Sequence, residues 1–354
     1  MARKQMPPQK AKRWKRPAQI ARATSQPNLP AALQEFVLQA PSILDFGPID
    51  DINALYAFFE ELRFRTILLG QKVIVDLRMC RRVGAVGVLL LAAEIERCNF
   101  VKPDHVSGYS PTNPVALRTL SMFGFHQAIG VEVEESILPQ RGVVQIQTGT
   151  GETENLSSKL GEVAGLTLEL WHDQAFTDRI HGALNEAMTN VLMHAYDPNL
   201  TQNAGEACES GRWWVAGFSQ AGSGEAWFLA LDLGVGIPVS APAKNKGLQA
   251  YLATPVQRND AMIIWHVISQ EGRSRTGLPQ HGKGMPTMVS LIRDRAKSGT
   301  LWIVSGNGIY LLDKDATRPG ERMINEMIIP LRSKAAGTLI LWKVGRSSLL
   351  PAEA

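Results

Sequence analysis

HGALNEAMTNVLMHAY, residues 181–196, sets Glu186, Asn190 and His194 four residues apart. Around them Ile180, Leu184, Ala187, Met188, Val191, Leu192 and Ala195 recur at helical spacing, which predicts an amphipathic helix. Residues at i, i+4 and i+8 drift only about 40° per step at 3.6 residues per turn, so the three polar side chains form one stripe. The stripe lies beside the apolar face, where side chains border a cleft rather than open water. A carboxylate and an amide placed there can hold a divalent cation through oxygen and poise a water for attack. An ordinary helix with a polar edge gives the same pattern, and the stripe alone does not separate the two readings.

Two further motifs lie downstream. In LALDLGVGIPV, residues 229–239, an apolar strand delivers Asp232, and Gly234 and Gly236 then turn the chain. Glycine admits positive φ and lets backbone approach a ligand closely, and an Asp at a strand end can accept a hydrogen bond from an exocyclic amine such as that of adenine. A plain turn capped by Asp is the simpler reading of this motif taken singly. In QHGKGMPTMVSLIRD, residues 280–294, Gly282 and Gly284 precede a helix. The free N–H groups and partial positive charge of a helix start suit phosphates, and Lys283 adds a point charge. A Gly-rich helix entry without a ligand accounts for this motif equally well.

Taken in order, ExxxNxxxHAY, DxGxGI, a long loop and GxGM opening a helix resemble the boxes of the GHKL ATP-binding family. That family includes DNA gyrase B subunits, mismatch-repair ATPases, heat-shock chaperones, sensor histidine kinases and anti-sigma serine kinases. The resemblance covers roughly residues 160–345 and lies closest to the anti-sigma kinase type. It implies a Bergerat-type α/β sandwich, with a mixed sheet and helices on one face, that binds ATP and Mg2+. By motif, Glu186 corresponds to the family's general base and Asn190 to its magnesium ligand. Asp232, with Gly234 and Gly236, corresponds to the adenine-binding aspartate and its glycines, and Gly282, Lys283 and Gly284 to the phosphate side. Thr338, in the closing GTLILW strand, resembles the family's threonine near adenine. The loop between would be the ATP lid, where GRSRTG offers Arg273 and Arg275. GMP stands where many relatives have GLG. His194 is expected to pack or bond locally rather than to catalyse.

The preceding region alternates strand and helix signals. FVLQA and KVIVDL read as strands, VGAVGVLLLAAEIERC as a helix, and NPVALRTLSMFGF as a helix opened by Asn113-Pro114 and stopped at Gly124. VIVDLRMCRRVGAVGVLLLAAEIE followed by NPVALRTLSMFGFHQAIGV resembles STAS domains, the anti-anti-sigma fold. STAS switches carry a phosphorylatable Ser at the helix start; here Val83-Gly84-Ala85-Val86-Gly87 offers no hydroxyl. The resemblance therefore implies a docking or dimerising domain rather than a phospho-switch.

The expected organisation is a basic disordered tail over 1–33, a smaller STAS-like α/β domain over 34–140, a polar linker over 141–159 with one short strand signal, VVQIQ, and the GHKL domain over 160–354. RWWVAGFS and EAWFLALDLG flank a hairpin turn, and LWIVS and IYLLD are expected to form a second hairpin around Gly306-Asn307-Gly308. Hydrophobic content of 45% and charged content of 20% suffice for a packed core. No apolar run approaches the roughly 18 residues of a membrane span, and the N-terminus lacks the apolar segment of a secretory signal. Cys80, Cys98 and Cys208 have no metal-ligand spacing, which fits a reducing cytoplasm. Residues 1–22 hold eight Lys or Arg and no acid, so the remaining 29 basic and 33 acidic residues leave a mildly negative body. The tail is expected to be a solvated arm, with charge to offer nucleic acid or an acidic protein partner.

Three functions follow from the resemblance: an ATPase whose cycle moves the lid and rearranges a dimer or partner, a serine/threonine protein kinase, and a nucleotide-binding regulator without turnover. Glu186 argues against the third. A sensor histidine kinase is excluded, because residues 140–173 are too few and too polar for its phosphoacceptor hairpin.

Overall fold

The computed structural model describes residues 13–14, 35–131, 140–151, 155–200, 208–244, 248–249, 252, 259–270, 284–314 and 324–345. The chain divides into two compact units, Met1–Leu138 and Pro139–Ala354. Both combine helices with sheets in an α/β architecture. No described helix is long and apolar enough to cross a membrane.

In the first unit the elements run β1 (Arg13–Trp14), β2 (Phe36–Gln39), β3 (Ile43–Leu44), α1 (Ile49–Arg63), β4 (Val73–Asp76), β5 (Arg82–Val83), α2 (Ala85–Val101), β6 (Val106–Tyr109), α3 (Pro114–Met122) and α4 (Phe125–Ala128). The sheet order is β1-β6-β4-β2, with β2, β4 and β6 parallel. Every residue of β4 is buried, as the continuous apolar run of a central parallel strand requires. Helix α2 is apolar almost all round and is buried along most of its length. It carries Glu94, bonded to Arg63 at 2.5 Å, and Arg97 within 3.9 Å of the same carboxylate. Asn113 caps α3 by accepting from Val115 N and Ala116 N, with Pro114 in the first turn, and Gly124 follows at φ +69°, as the sequence predicts.

The glycines at the start of α2 serve packing. A Cβ on Gly87 would lie 1.9 Å from the Leu44 carbonyl oxygen, and one on Gly84 would lie 2.0 Å from Asp45 Cγ. Their absence lets the first turn of α2 settle on β3.

One expectation fails here. The tail was expected to be disordered throughout, yet Arg13 and Trp14 pair antiparallel with Tyr109 and Gly108 of β6. Trp14 is 5% exposed, and burial of an indole orders a segment that charge alone would leave solvated. The rest of 1–33 lies outside the described residues.

The second unit contains β7 (Val143–Thr150), α5 (Leu156–Trp171), α6 (Gln174–Asn190), β8 (Arg212–Gln220), β9 (Glu225–Asp232), α7 (Ile237–Lys244), α8 (Asp260–Gln270), α9 (Gly284–Ser290), β10 (Ser298–Lys314) and β11 (Ile324–Gly345). The sheet order is β10-β11-β9-β8-β7. Helices α5, α6 and α9 share a core with Trp213, Val215, Phe228, Leu301, Ile303 and Trp342 of the sheet. The β8–β9 hairpin forms where the sequence places it.

Three expectations are corrected. All four adjacent strand pairs are antiparallel, so the sheet is not mixed; its strands return by hairpins or long connections instead of parallel crossovers. The stretch 141–159 is not a linker. Its residues 143–150 form the edge strand β7, whose polar composition suits an edge with few buried positions, and α5 begins at Leu156. The Gly306-Asn307-Gly308 segment is no hairpin turn but a bulge inside the continuous strand β10. Its glycines admit the start of α8: a Cβ on Gly308 would lie 2.2 Å from Ala261 N, and Asn307 N donates to Asp260 Oδ2 at 2.6 Å.

Candidate functional site

Helix α6 begins where Asp173 accepts a hydrogen bond from Phe176 N at 3.0 Å. Ala183, Leu184, Ala187 and Met188 face the core, Asn185 and Thr189 face solvent, and Glu186 and Asn190 lie half-buried between the two faces, one turn apart. This is the polar edge that the sequence predicts. The amide nitrogen Nδ2 of Asn190 is buried without a hydrogen-bond partner in the protein.

Beyond Asn190 the helix widens into a π turn, Val191–Ala195, that carries His194 and ends at Tyr196. Its end is stitched to the strand ends. Tyr196 Oη donates to the Arg212 carbonyl at 2.6 Å and accepts from Leu233 N at 3.1 Å. The Ala195 carbonyl accepts from Val235 N at 2.8 Å. A Cβ on Gly234 would lie 2.1 Å from that same carbonyl oxygen, so only glycine lets the turn seat against the helix.

Asp232 ends β9 and is 5% exposed. Its Oδ1 accepts from Gly234 N at 2.9 Å, which folds the turn back on the carboxylate. Gly236 has φ +80°, and a Cβ there would lie 2.6 Å from Ser305 Oγ and 3.0 Å from the Gly337 carbonyl. Thr338 stands opposite Asp232 in the β9–β11 register. Ser305 ties the neighbouring segments together: its Oγ donates to the Gly337 carbonyl at 2.7 Å, accepts from Ile237 N at 2.9 Å and lies 3.2 Å from Thr338 Oγ1.

Asp232, Gly234, Gly236 and Thr338, drawn from two distant parts of the sequence, thus meet at one end of the sheet. The end of the α6 segment that bears Glu186 and Asn190 is fastened to the same place. Gly284 opens α9, whose Met285 and Met288 pack into the core shared with α6. Gly282, Lys283, Arg273 and Arg275 lie outside the described residues. Sequence reasoning missed Ser305, Tyr196 and Gly337 as parts of this cluster. A signal for Tyr196 existed in the HAY ending, and one for Gly337 in its place before Thr338; Ser305 had only its position before the glycine bulge.

Chemically, a buried carboxylate across from a threonine hydroxyl offers an acceptor beside a group that both donates and accepts, which matches the amine-bearing edge of a purine. No group of three or more His, Cys, Asp or Glu side chains suited to a metal occurs among the described residues. The donor set nevertheless fits magnesium brought by a nucleotide. That ion retains waters and phosphate oxygens and needs only one or two protein oxygens, and the Asn190 side-chain oxygen Oδ1 is a ligand of that kind. The sequence matches no protein-family model, and no curated protein matches it.

Proposed function

We propose that the second unit is a GHKL-type domain that binds Mg-ATP, and that the protein is an ATP-hydrolysing regulator. The observation that carries this reading is the convergence of Asp232 and its glycine turn with Thr338, at the place where the α6 segment ends. Four residues singled out for adenine contact by motif alone are neighbours in space. In this reading the Asp232 carboxylate accepts from the adenine amine and Thr338 bonds the ring edge. Asn190 Oδ1 holds the ion, which neutralises phosphate charge when bound. Glu186 takes a proton from the attacking water. Gly282, Lys283 and Gly284 belong to the phosphate side of the same proposal.

A second reading, serine/threonine phosphotransfer to a protein, is favoured by the parallel β2-β4-β6 sheet of the first unit, which agrees with a STAS-like companion domain. Glu186 would then activate a partner's hydroxyl in place of water. With three cysteines outside any disulfide, two of them buried, the proposed setting is the cytoplasm. Full-length protein incubated with Mg-ATP labelled at the γ-phosphate separates these readings. Free phosphate supports hydrolysis, labelled protein supports the kinase, and no saturable nucleotide binding in isothermal titration would overturn both.

A further inference from the structure

The first unit contains an edge that its own tail closes. Strand β6 would be an unprotected edge of the sheet but for β1, a pairing of only two residues. The side chains of Trp14 and Arg13 hold it. The Trp14 indole lies on Gly108, where a Cβ would fall 2.2 Å from its ring, and meets Phe125 edge to face with centroids 5.9 Å apart. Arg13 Nη2 donates to both carboxylate oxygens of Glu35 at 2.8 Å and to Ser107 Oγ at 3.2 Å. The Arg13 guanidinium also lies over the Tyr109 ring at 5.7 Å. The slot is therefore built from β6 and α4, with Glu35 at its rim, and the parallel strands β2, β4 and β6 are complete without β1.

We propose that the β6 edge is a strand-addition docking site for an extended Arg-Trp segment, and that the chain's own tail occupies it as a releasable strap. Backbone pairing of this kind supplies affinity while alternate side chains supply specificity. Here Trp14 fills the slot left by the missing Gly108 side chain, and Arg13 reads Glu35. The Arg13–Glu35 pair is part-exposed, at 26% and 41%, so salt weakens it while the buried indole keeps most of the hold. Trp14 and Glu35 belong to one chain, so the strap competes for the edge intramolecularly. An outside segment binds only where the strap is loosened.

The test uses a labelled peptide of residues 8–20 titrated into three full-length proteins: wild type, Trp14→Ala and Arg13→Glu. Trp14→Ala empties the slot and should bind the peptide saturably, at least about tenfold more tightly than wild type, whose slot is filled in cis. Arg13→Glu faces Glu35 with like charge and should fall between them, several-fold tighter than wild type. A peptide lacking the indole should lose at least about tenfold on the Trp14→Ala protein. Equal binding of both peptides would mean charge attraction only, and equal affinity for all three proteins would mean another site; either overturns the proposal. Failure of Trp14→Ala to fold, or absence of binding to its folded form, would make Trp14 a fixed part of the core and overturn it too.

Discussion

Thr338 faces Asp232 directly across the β9–β11 ladder, and the residue before it, Gly337, has φ +64° with a Cβ position only 2.0 Å from the Asp232 carbonyl oxygen. The glycine is what lets the two strands meet so closely at this end. The carboxylate and the hydroxyl thus form one feature, although 106 positions separate them (338 − 232). Any ligand gripped by one is within reach of the other.

Asp232→Asn isolates the recognition role. The amide retains an oxygen for Gly234 N, so the turn should persist, but it replaces the other oxygen with a donor that confronts the adenine amine. An unmade buried hydrogen bond costs about 1–3 kcal/mol, which corresponds to roughly 5- to 150-fold weaker Mg-ATP binding. The melting temperature should stay close to wild type. Isothermal titration with unchanged affinity would remove Asp232 from the nucleotide site.

Two glycine substitutions should act in opposite directions. Gly161 lies inside α5 with nothing within 4 Å of an added Cβ, so Gly161→Ala should stabilise the protein by about 0.5–1 kcal/mol through helix propensity. Gly234→Ala puts a methyl 2.1 Å from the Ala195 carbonyl, which is backbone and cannot rotate away. It should force the turn off the helix end, destabilise by about 1–3 kcal/mol and weaken nucleotide binding as well. Urea melts of both variants give the signs, and a neutral Gly234→Ala would mean that the turn is not seated as described.

The parts of the fold legible in the sequence are those fixed by local chemistry. Asp173 caps a helix because its own side chain reaches Phe176 N, and Asn113-Pro114 opens one for the same reason. The parts that were not legible depend on distant partners. Gly306-Asn307-Gly308 has the composition of a hairpin turn, and only the seating of α8 at Asp260 and Ala261 makes it a bulge in a continuous strand. Strand β7 shows in the sequence only as VVQIQ, and its polar end, TGT, is placed where Trp213 packs over Gly149, where a Cβ would lie 2.5 Å from the ring. Trp14 docks on a strand 94 positions away (108 − 14), beyond any local pattern. In the candidate site, Asp232 and Glu186 were singled out by the order of the motifs and not by the spacing of either one, whereas Ser305 acts through Gly337 and Ile237, which no spacing in its own strand reveals.

Asp45 gives the first unit a dependence on pH. Burial raises its carboxyl pKa, while the Phe46 backbone N–H and the Arg82 guanidinium oppose the rise. A carboxyl raised on folding binds its proton more tightly in the folded state, so its contribution is most favourable below the unfolded pKa and is lost as pH rises through the folded value. Asp45→Asn removes that loss while keeping an oxygen for Phe46 N–H. The stability of Asp45→Asn relative to wild type should therefore increase from pH 3.5 to pH 7 in matched urea melts. A difference that stays level or falls with pH would show that the ionised carboxylate is well accommodated beside Gly84 and Arg82.

Glu186 and Asn190 share one helix edge but should fail differently when removed. A general base acts on the attacking nucleophile and contributes typically 10²–10⁴-fold to rate, with little contact to bound nucleotide. Glu186→Ala is thus expected to bind Mg-ATP within about threefold of wild type and to turn over about 10²–10⁴-fold more slowly. A metal ligand acts on the phosphates in the ground state and in the transition state alike, so Asn190→Ala should lose magnesium-dependent affinity together with rate. Loss of fold is not the expected cause, because the Asn190 amide nitrogen has no hydrogen-bond partner in the protein and its removal leaves no protein group unsatisfied. Nucleotide affinity measured with and without magnesium, alongside phosphate release and a thermal melt, tests both assignments at once. Wild-type turnover by Glu186→Ala would sink the mechanism, and magnesium dependence retained in Asn190→Ala would move the ion to another ligand.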